Sequence, residues 1–217
     1  MIPLRILIVD DHAVVRRGVR SLLESYQGFE ITGEAATGRE AVEMARRLQP
    51  DVVVMDLSLP ELNGLDATRQ ILKDSPRSEI LVLTMHHSEE LARDVLQAGA
   101  RGYVLKSDAD QSLIAAVKSL REHKPFLSAR VTEFVLDDYL RRADTHEEAQ
   151  SHETLTARER EIIQLLAEGK RNKEAASTLG ISVKTIEAHR ANIMRKLRLR
   201  SVSELVRYAI RNKIVQP

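Results

Sequence analysis

Five short runs rich in apolar and β-branched residues alternate with amphipathic stretches along the first 124 residues, and this alternation constrains the fold most. The runs lie in LRILIVDD, FEITGEAA, DVVVMDL, EILVLTM and GYVLK. Most of them lack a polar face, which is typical of strands covered on both sides of a parallel sheet with right-handed crossovers. The pattern predicts an α/β domain built on a doubly wound, five-stranded parallel sheet.

Charged side chains end three of these runs. Asp10 and Asp11 follow the first run, Asp56 the third and Lys106 the fifth, and Thr84 ends the fourth. For the flavodoxin-like strand order 2-1-3-4-5, strands one and three meet at the switch point where ligands bind, so these side chains should converge. Gathered carboxylates repel unless a cation neutralises them, and Mg2+ prefers such oxygen ligands. For Asp11 taken alone, the favoured interpretation is an N-cap that accepts backbone N–H groups.

The net charge of +1 hides an uneven distribution. Residues 153–217 contain 14 Lys and Arg against 7 Asp and Glu, a net charge of +7, and the rest of the chain has a net charge of −6. An acidic part joined to a basic part suggests a cation or phosphate site in one and a polyanionic partner for the other. Solvated surface with uneven charge is an equal alternative.

The same composition shift sets the domain boundaries. We predict a first domain over 1–124, a linker over 125–152 with a helix in RVTEFVLDDYLRRA, and an all-helical domain over 153–217. The absence of cysteine excludes disulfides and thiolate sites. No basic leader with an apolar core and no run of membrane-spanning length is present, so we expect a cytoplasmic protein without a membrane partner.

The segment NKEAASTLGISVKTIEAHRANIMRKL has the outline of a helix-turn-helix. Ile186, Ile193 and Leu197 recur at helical spacing on the longer helix and should face the core. The remaining face would point outward and carries Lys184, Glu187, Ala188, Ala191 and Arg195. Small side chains would let this helix enter a major groove, with cations at phosphates and the Glu187 carboxylate at a cytosine amino group. A helical protein-interaction bundle fits the spacing almost equally well.

The first half of the chain resembles the receiver domain of two-component response regulators. The acidic pair, the single Asp56, Pro60 and Gly64 in the next loop, Thr84, and Lys106 before Ser107 match that family in order and spacing. The resemblance implies that Asp56 accepts a phosphoryl group from a sensor histidine kinase and that Lys106 contacts that group. The Mg2+ ligands would be Asp10, Asp11, Asp56 and the Ser58 backbone carbonyl, and the switch residues Thr84 and Tyr103. Such a protein is not an enzyme, although slow self-dephosphorylation is expected.

The C-terminal part resembles the LuxR-type tetrahelical output domain through LTARERE, LLAEGKRNKEAA and SVKTIEAHRANIMRKL. Ala175 and Arg171 depart from the larger aliphatic and small hydroxyl residues common there. The resemblance implies a dimer contact in the last helix through Val202, Leu205 and Val206. The implied DNA-binding residues are Lys184, Thr185, Glu187, Ala188, His189, Arg190, Ala191 and Arg195.

Together these resemblances identify a response regulator of the NarL/FixJ type. Phosphorylation would control homodimerisation and binding to promoter DNA, with RNA polymerase as a candidate partner. Two alternatives remain at this point: a Mg2+-dependent phosphatase with an Asp nucleophile, and a DNA-binding regulator whose receiver only dimerises. We interpret His86 and His87, after the fourth run, as plain surface side chains.

Overall fold

The chain forms two compact units in the computed structural model, which describes residues 2–86, 88–129, 131–133 and 155–215. The N-terminal unit is an α/β domain and the C-terminal unit is all helical, as predicted. Among the described residues, no helix has the length and apolar composition needed to cross a membrane.

A single parallel sheet forms the centre of the N-terminal unit, with the strand order β2-β1-β3-β4-β5-β6. This confirms the predicted order 2-1-3-4-5 and adds one strand. The strands are β1 (Leu4–Val9), β2 (Phe29–Ala35), β3 (Val52–Met55), β4 (Glu79–Thr84), β5 (Gly102–Leu105) and β6 (Phe126–Leu127).

Strand β6 corrects the expectation of five strands and lies in the segment assigned to the linker. Phe126 pairs with Gly102 and Leu127 with Tyr103, and the Ser128 N–H donates to the Tyr103 carbonyl at 3.0 Å. Two residues after a proline are too few to show a period of two, so sequence patterning does not detect them. Residues 131–133 are helical, and the rest of the predicted linker helix lies outside the described residues.

Helices cover both faces of the sheet. One face packs against the first and fifth helices through residues that include Ile8, Val54, Leu23 and Leu120, all buried. Burying each such side chain contributes about 1.5–3 kcal/mol, so this contact stabilises the sheet edge that carries the charged residues. The helices are α1 (Ala13–Glu24), α2 (Gly38–Leu48), α3 (Gly64–Asp74), α4 (Glu89–Gln97) and α5 (Ala109–Arg121), and a 3-10 turn (Lys106–Asp108) precedes α5.

Over its described residues, the C-terminal unit contains four helices around its own core. They are α6 (Ala157–Ala167), α7 (Asn172–Thr178), α8 (Val183–Lys196) and α9 (Val202–Arg211). Thr156 and Glu159 form the predicted capping box at the start of α6, with bonds of 3.2 and 2.8 Å. Gly180 adopts a φ of 63° between α7 and α8, and the Ser182 hydroxyl then caps α8 by accepting from the Thr185 N–H at 3.0 Å. These signals fix the turn of the helix-turn-helix.

Candidate functional site

Three charged side chains meet at the carboxyl edge of the sheet. Asp10 follows β1, Asp56 follows β3 and Lys106 follows β5, and both carboxylate side chains are only 3–4% exposed. Lys106 Nζ lies 2.6 Å from Asp10 Oδ2 and 2.7 Å from Asp56 Oδ2. The structure therefore brings these residues together as the strand-end argument predicted, with one ammonium shared between two buried carboxylates.

The surroundings of Asp56 change its acidity. Burial raises the pKa of the Asp56 carboxyl, and the Lys106 ammonium offsets this only in part; the Asp10 charge raises it further. The Leu57 N–H also donates to Asp56 Oδ1 at 2.7 Å. Burial opposes the charged form of Lys106, but its contacts with Asp10 and Asp56 outweigh that effect and raise the Lys106 pKa. Asp56 is thus a more basic carboxylate than usual beside a lysine held in its charged form.

Asp11 does not cap helix α1. The N-cap of α1 is His12, and among the described residues no side chain caps this end. Asp11 Oδ1 instead lies 2.6 Å from His12 Nδ1, and the His12 N–H donates to Asp10 Oδ1 at 2.8 Å. His12 was not among the predicted site residues, and its only signal in the sequence is its position directly after the acidic pair.

The donor set at this edge fits a hard divalent cation. Asp10, Asp11 and His12 each offer a ligand atom, and these atoms lie within 4.8 Å of one another. Asp56 adds a third carboxylate, and the single ammonium of Lys106 leaves the group negatively charged. Carboxylate oxygens with uncompensated negative charge are the ligands that Mg2+ prefers, so the residues present fit that ion.

His86 connects the residues around the acidic site through its main chain, and its side chain is half-buried rather than fully exposed. Its N–H donates to Thr84 Oγ1 at 3.2 Å, and its carbonyl accepts from the Tyr103 hydroxyl at 2.8 Å. The half-buried imidazole places Nε2 at 3.3 Å from Ser58 Oγ. Thr84 and Tyr103 are both buried, and burial raises the pKa of the Tyr103 phenol. His87 lies outside the described residues.

Helix α8 has the two faces that its sequence predicted. Ile186 and Ile193 are buried in the core of the C-terminal unit, and Leu197 packs against it. His189 and Arg190 are half-buried at the edges of that face. The exposed face carries Lys184, Thr185, Glu187, Ala188, Ala191 and Arg195.

A basic groove lies beside α8, with a volume of about 540 Å³. Its lining includes the cationic residues Lys170, Arg171, Lys173 and Arg190 around the apolar side chain of Leu166. Only Arg190 belongs to the predicted DNA-binding set; the run GKRNK was the signal for the other three. The apolar residues Val183 and Val202 also line the groove, and its four cationic side chains suit a polyanion.

The two departures from the family pattern have local explanations. Ala175 is fully buried in the core of the C-terminal unit, so a small side chain is accommodated there without exposure. Arg171 is exposed, and its N–H donates to Glu174 Oε2 at 2.7 Å at the start of α7. Arg171 also lines the basic groove.

Helix α9 corrects part of the predicted dimer contact. Leu205 is fully buried in the core of its own unit, so it has no surface to offer a second copy. Val202 is 43% exposed and Val206 is half-buried, and both remain available. Ile210 is also exposed at 36% and was not in the predicted set.

Comparisons with known proteins agree with both units. The family described as response regulator receiver domain matches residues 6–118, and the family described as bacterial regulatory proteins, luxR family, matches residues 153–209. The oxygen regulatory protein NreC of Staphylococcus epidermidis is 39% identical over 217 residues, covering 98% of this chain and all of the relative.

Solved structures give the same result. RcsB of Salmonella typhimurium is 27% identical, with a TM-score of 0.59 over 96% of this chain and 98% of that one. A structure of the RcsB–DNA complex is 28% identical, with a TM-score of 0.59 over 95% of this chain and 97% of that one. The chain therefore belongs to the two-component response regulators of the NarL/FixJ type, transcription regulators that join a receiver domain to a LuxR-type DNA-binding domain.

Proposed function

We propose that Asp56 accepts a phosphoryl group from a sensor histidine kinase and that the phosphorylated chain binds promoter DNA as a homodimer. The observation that carries this proposal is the buried Lys106 ammonium shared by Asp10 and Asp56 at the carboxyl edge of the sheet. Asp56 is the carboxylate with a raised pKa at this edge, and a basic carboxylate is the better nucleophile.

In the proposed transfer, an Asp56 oxygen forms a bond to phosphorus while the bond from phosphorus to the donor imidazole nitrogen breaks. The leaving nitrogen keeps the electron pair of that bond. Lys106 is close enough to Asp56 for its ammonium to contact the phosphoryl oxygens and stabilise their negative charge. Mg2+, held by Asp10, Asp11, Asp56 and the Ser58 carbonyl, would supply further positive charge to these oxygens.

The proposed switch uses the contacts of His86. The Thr84 hydroxyl accepts from the His86 N–H, so its own proton remains available for a phosphoryl oxygen. A shift of Thr84 toward the phosphoryl group would move the His86 backbone, whose carbonyl holds the Tyr103 hydroxyl. Phosphorylation of Asp56 would in this way change the position of the Tyr103 hydroxyl through two hydrogen bonds.

The proposed DNA contacts follow the exposed face of α8. Lys184, Thr185 and Arg195 would contact phosphates, with Ala188 and Ala191 against bases and Glu187 at a base amino group. His189 and Arg190 would contact the backbone from the edges of this face. The basic groove adds Lys170, Arg171 and Lys173 as phosphate contacts. The RcsB–DNA complex supports this role for a similar chain. Val202 and Val206 would form the dimer contact.

The test is phosphorylation by acetyl phosphate followed by intact mass measurement. The wild-type chain should gain one phosphoryl group in a Mg2+-dependent reaction, and Asp56→Asn should gain none. Asp51→Asn is the matched control, because Asp51 precedes the opposite end of β3 and its carboxylate accepts from the Arg5 N–H there. Full uptake by Asp56→Asn, or uptake that chelation of Mg2+ leaves unchanged, would contradict the assignment.

A second experiment separates the remaining alternative, a receiver that only dimerises. Sedimentation and DNA titration should show a larger dimer fraction and tighter DNA binding for the phosphorylated chain than for Asp56→Asn. Identical distributions and affinities would favour the phosphorylation-independent alternative. The phosphatase alternative fails because the second unit is a LuxR-type domain and not a lid. Cytoplasmic location, slow self-dephosphorylation and contact with RNA polymerase stay predictions.

A further inference from the structure

Arg16 joins three elements beside the acidic site. It lies in the second turn of α1, and its Nη1 donates to the main-chain carbonyl of Asp10 at 2.6 Å. Its Nε lies 3.5 Å from Glu34 Oε2, near the end of β2. The side chain is only 18% exposed, so these contacts are held in a partly buried setting where they are screened little by solvent.

The carbonyl that Arg16 contacts controls the direction of the acidic pair. The Asp10 carbonyl, the Asp11 N–H and the Asp11 Cα belong to one planar peptide unit. The Asp10 N–H already donates to the Ala35 carbonyl at 3.1 Å, which fixes the preceding peptide. A bond from Arg16 to the following carbonyl fixes the next peptide as well, and with it the point from which the Asp11 side chain starts.

The charge of Arg16 alone would act in the opposite sense. A guanidinium near a cation site repels the cation, so its removal would tighten binding if charge decided the outcome. Here Glu34 shares that guanidinium, and Glu34 also accepts from Arg20 Nη1 at 2.7 Å. Arg16 therefore has its charge partly matched by Glu34 while its Nη1 still orients the Asp10 carbonyl.

We propose that Arg16 is a positioning residue of the cation site, which holds the Asp10–Asp11 peptide so that both carboxylates converge on Mg2+. This inference rests on the proposed function, in which Asp10 and Asp11 bind that ion. Groups that orient metal ligands commonly change metal affinity by one to two orders of magnitude, although they do not touch the metal.

The experiment measures Mg2+ binding to the full, unphosphorylated chain by titration calorimetry. Arg16→Ala should raise the Kd for Mg2+ about tenfold. Arg16→Lys should also raise it, because a lysine keeps the charge but not the fork that reaches both Asp10 and Glu34. Arg20→Ala is the matched control, because Arg20 bonds Glu34 and Glu24 and does not contact Asp10. The Kd of this variant for Mg2+ should stay within about twofold of the wild-type value.

A kinetic measurement separates positioning from general loss of structure. The Mg2+ concentration for half-maximal phosphorylation by acetyl phosphate should rise with the Kd in the Arg16 variants. The rate at saturating Mg2+ should stay near that of wild type, since Arg16 does not contact Asp56. A general loss of structure would lower the saturating rate and would overturn the proposal.

Other results would also overturn it. Unchanged or tighter Mg2+ binding by Arg16→Ala would show that the Asp10 contact does not orient the site. Wild-type affinity in Arg16→Lys, with weak binding in Arg16→Ala, would assign the effect to charge. An equal loss of Mg2+ affinity in Arg20→Ala would show that the effect of Arg16→Ala comes from Glu34 and not from Asp10. A wild-type chain that binds no Mg2+ would remove the cation site itself, which distinguishes failure of the proposed function from failure of this inference.

Discussion

The main chain of Gly64 lies so close to Asp56 that a β-carbon at position 64 would overlap the Asp56 carbonyl oxygen. The Gly64 N–H also donates to the Leu57 carbonyl at 3.0 Å, which closes the loop between β3 and α3. The absence of a side chain at this glycine therefore sets how the chain leaves Asp56.

Gly64→Ala should push the Asp56 backbone away from its present position. We expect a loss of about 1–3 kcal/mol in the free energy of unfolding, as for other overpacked sites, and slower phosphorylation by acetyl phosphate. Urea denaturation measures the first and intact mass over time the second. Gly18→Ala is the control, because a β-carbon built there has no described atom within 4 Å apart from its chain neighbours and its own helix backbone, and alanine favours the helix. Equal behaviour of the two variants would contradict the close approach at Gly64.

Lys106→Ala should leave Asp10 and Asp56 facing each other without a cation. Removal of one partner from a buried ion pair costs about 3–5 kcal/mol, so we expect a strong fall in the urea midpoint without Mg2+. Addition of Mg2+ should recover more stability in this variant than in wild type. The double variant Asp56→Asn with Lys106→Ala should be less destabilised than Lys106→Ala alone. If all these midpoints coincide, Lys106 does not neutralise the pair.

The raised pKa of Asp56 predicts the sign of a pH effect. The folded chain holds the Asp56 proton more tightly than the unfolded chain, so stability falls as pH rises from the usual carboxyl value through the raised one. Asp56→Asn should therefore be more stable than wild type at neutral pH without Mg2+, and this gain should shrink as pH falls. Chemical denaturation at several pH values measures it, with Asp51→Asn as the reference. A gain that grows toward acid pH would have the wrong sign.

Two residues of α8 predict different effects on DNA binding, Arg190 at the edge of the core face and Glu187 on the exposed face. Arg190→Ala should weaken binding to all sequences and reduce the slope of log affinity against log salt by up to about one unit. Glu187→Ala should instead change the preferred DNA sequence, because the Glu187 carboxylate is repelled by the DNA phosphates but can accept a hydrogen bond from a base amino group. Selection from random DNA and titrations at several salt concentrations separate the two. An unchanged preferred site in Glu187→Ala would remove Glu187 from the base-facing set.

The sequence predicted those features that depend on burial periodicity and parallel topology. Strands β1, β3 and β4 read as apolar because they are covered on both faces, and parallel order then places Asp10, Asp56 and Lys106 at one edge. The face of α8 follows from helical spacing in the same way.

Two kinds of feature could not be predicted from the sequence: contacts between elements that are distant in the chain, and the exact residue along a helix at which burial ends. Arg16 donates to the main-chain carbonyl of Asp10, and the main chain of His86 bonds the hydroxyls of Thr84 and Tyr103; such contacts leave no periodic signal in the sequence. Leu205 and Val202 are three residues apart on one apolar stripe of α9, yet one is buried and the other exposed. Periodicity identifies the stripe but not where the core ends along it.

Strand β6 changes what Tyr103 can do. Because β5 pairs with β6 on one side and with β4 on the other, Tyr103 lies in register with Leu127 and with Val82. A residue bonded on both sides cannot slide along the sheet without breaking both ladders. If Tyr103 moves when Asp56 is phosphorylated, we therefore expect its side chain to rotate while its main chain stays in the sheet, so that its hydroxyl leaves the His86 carbonyl without any change in strand register.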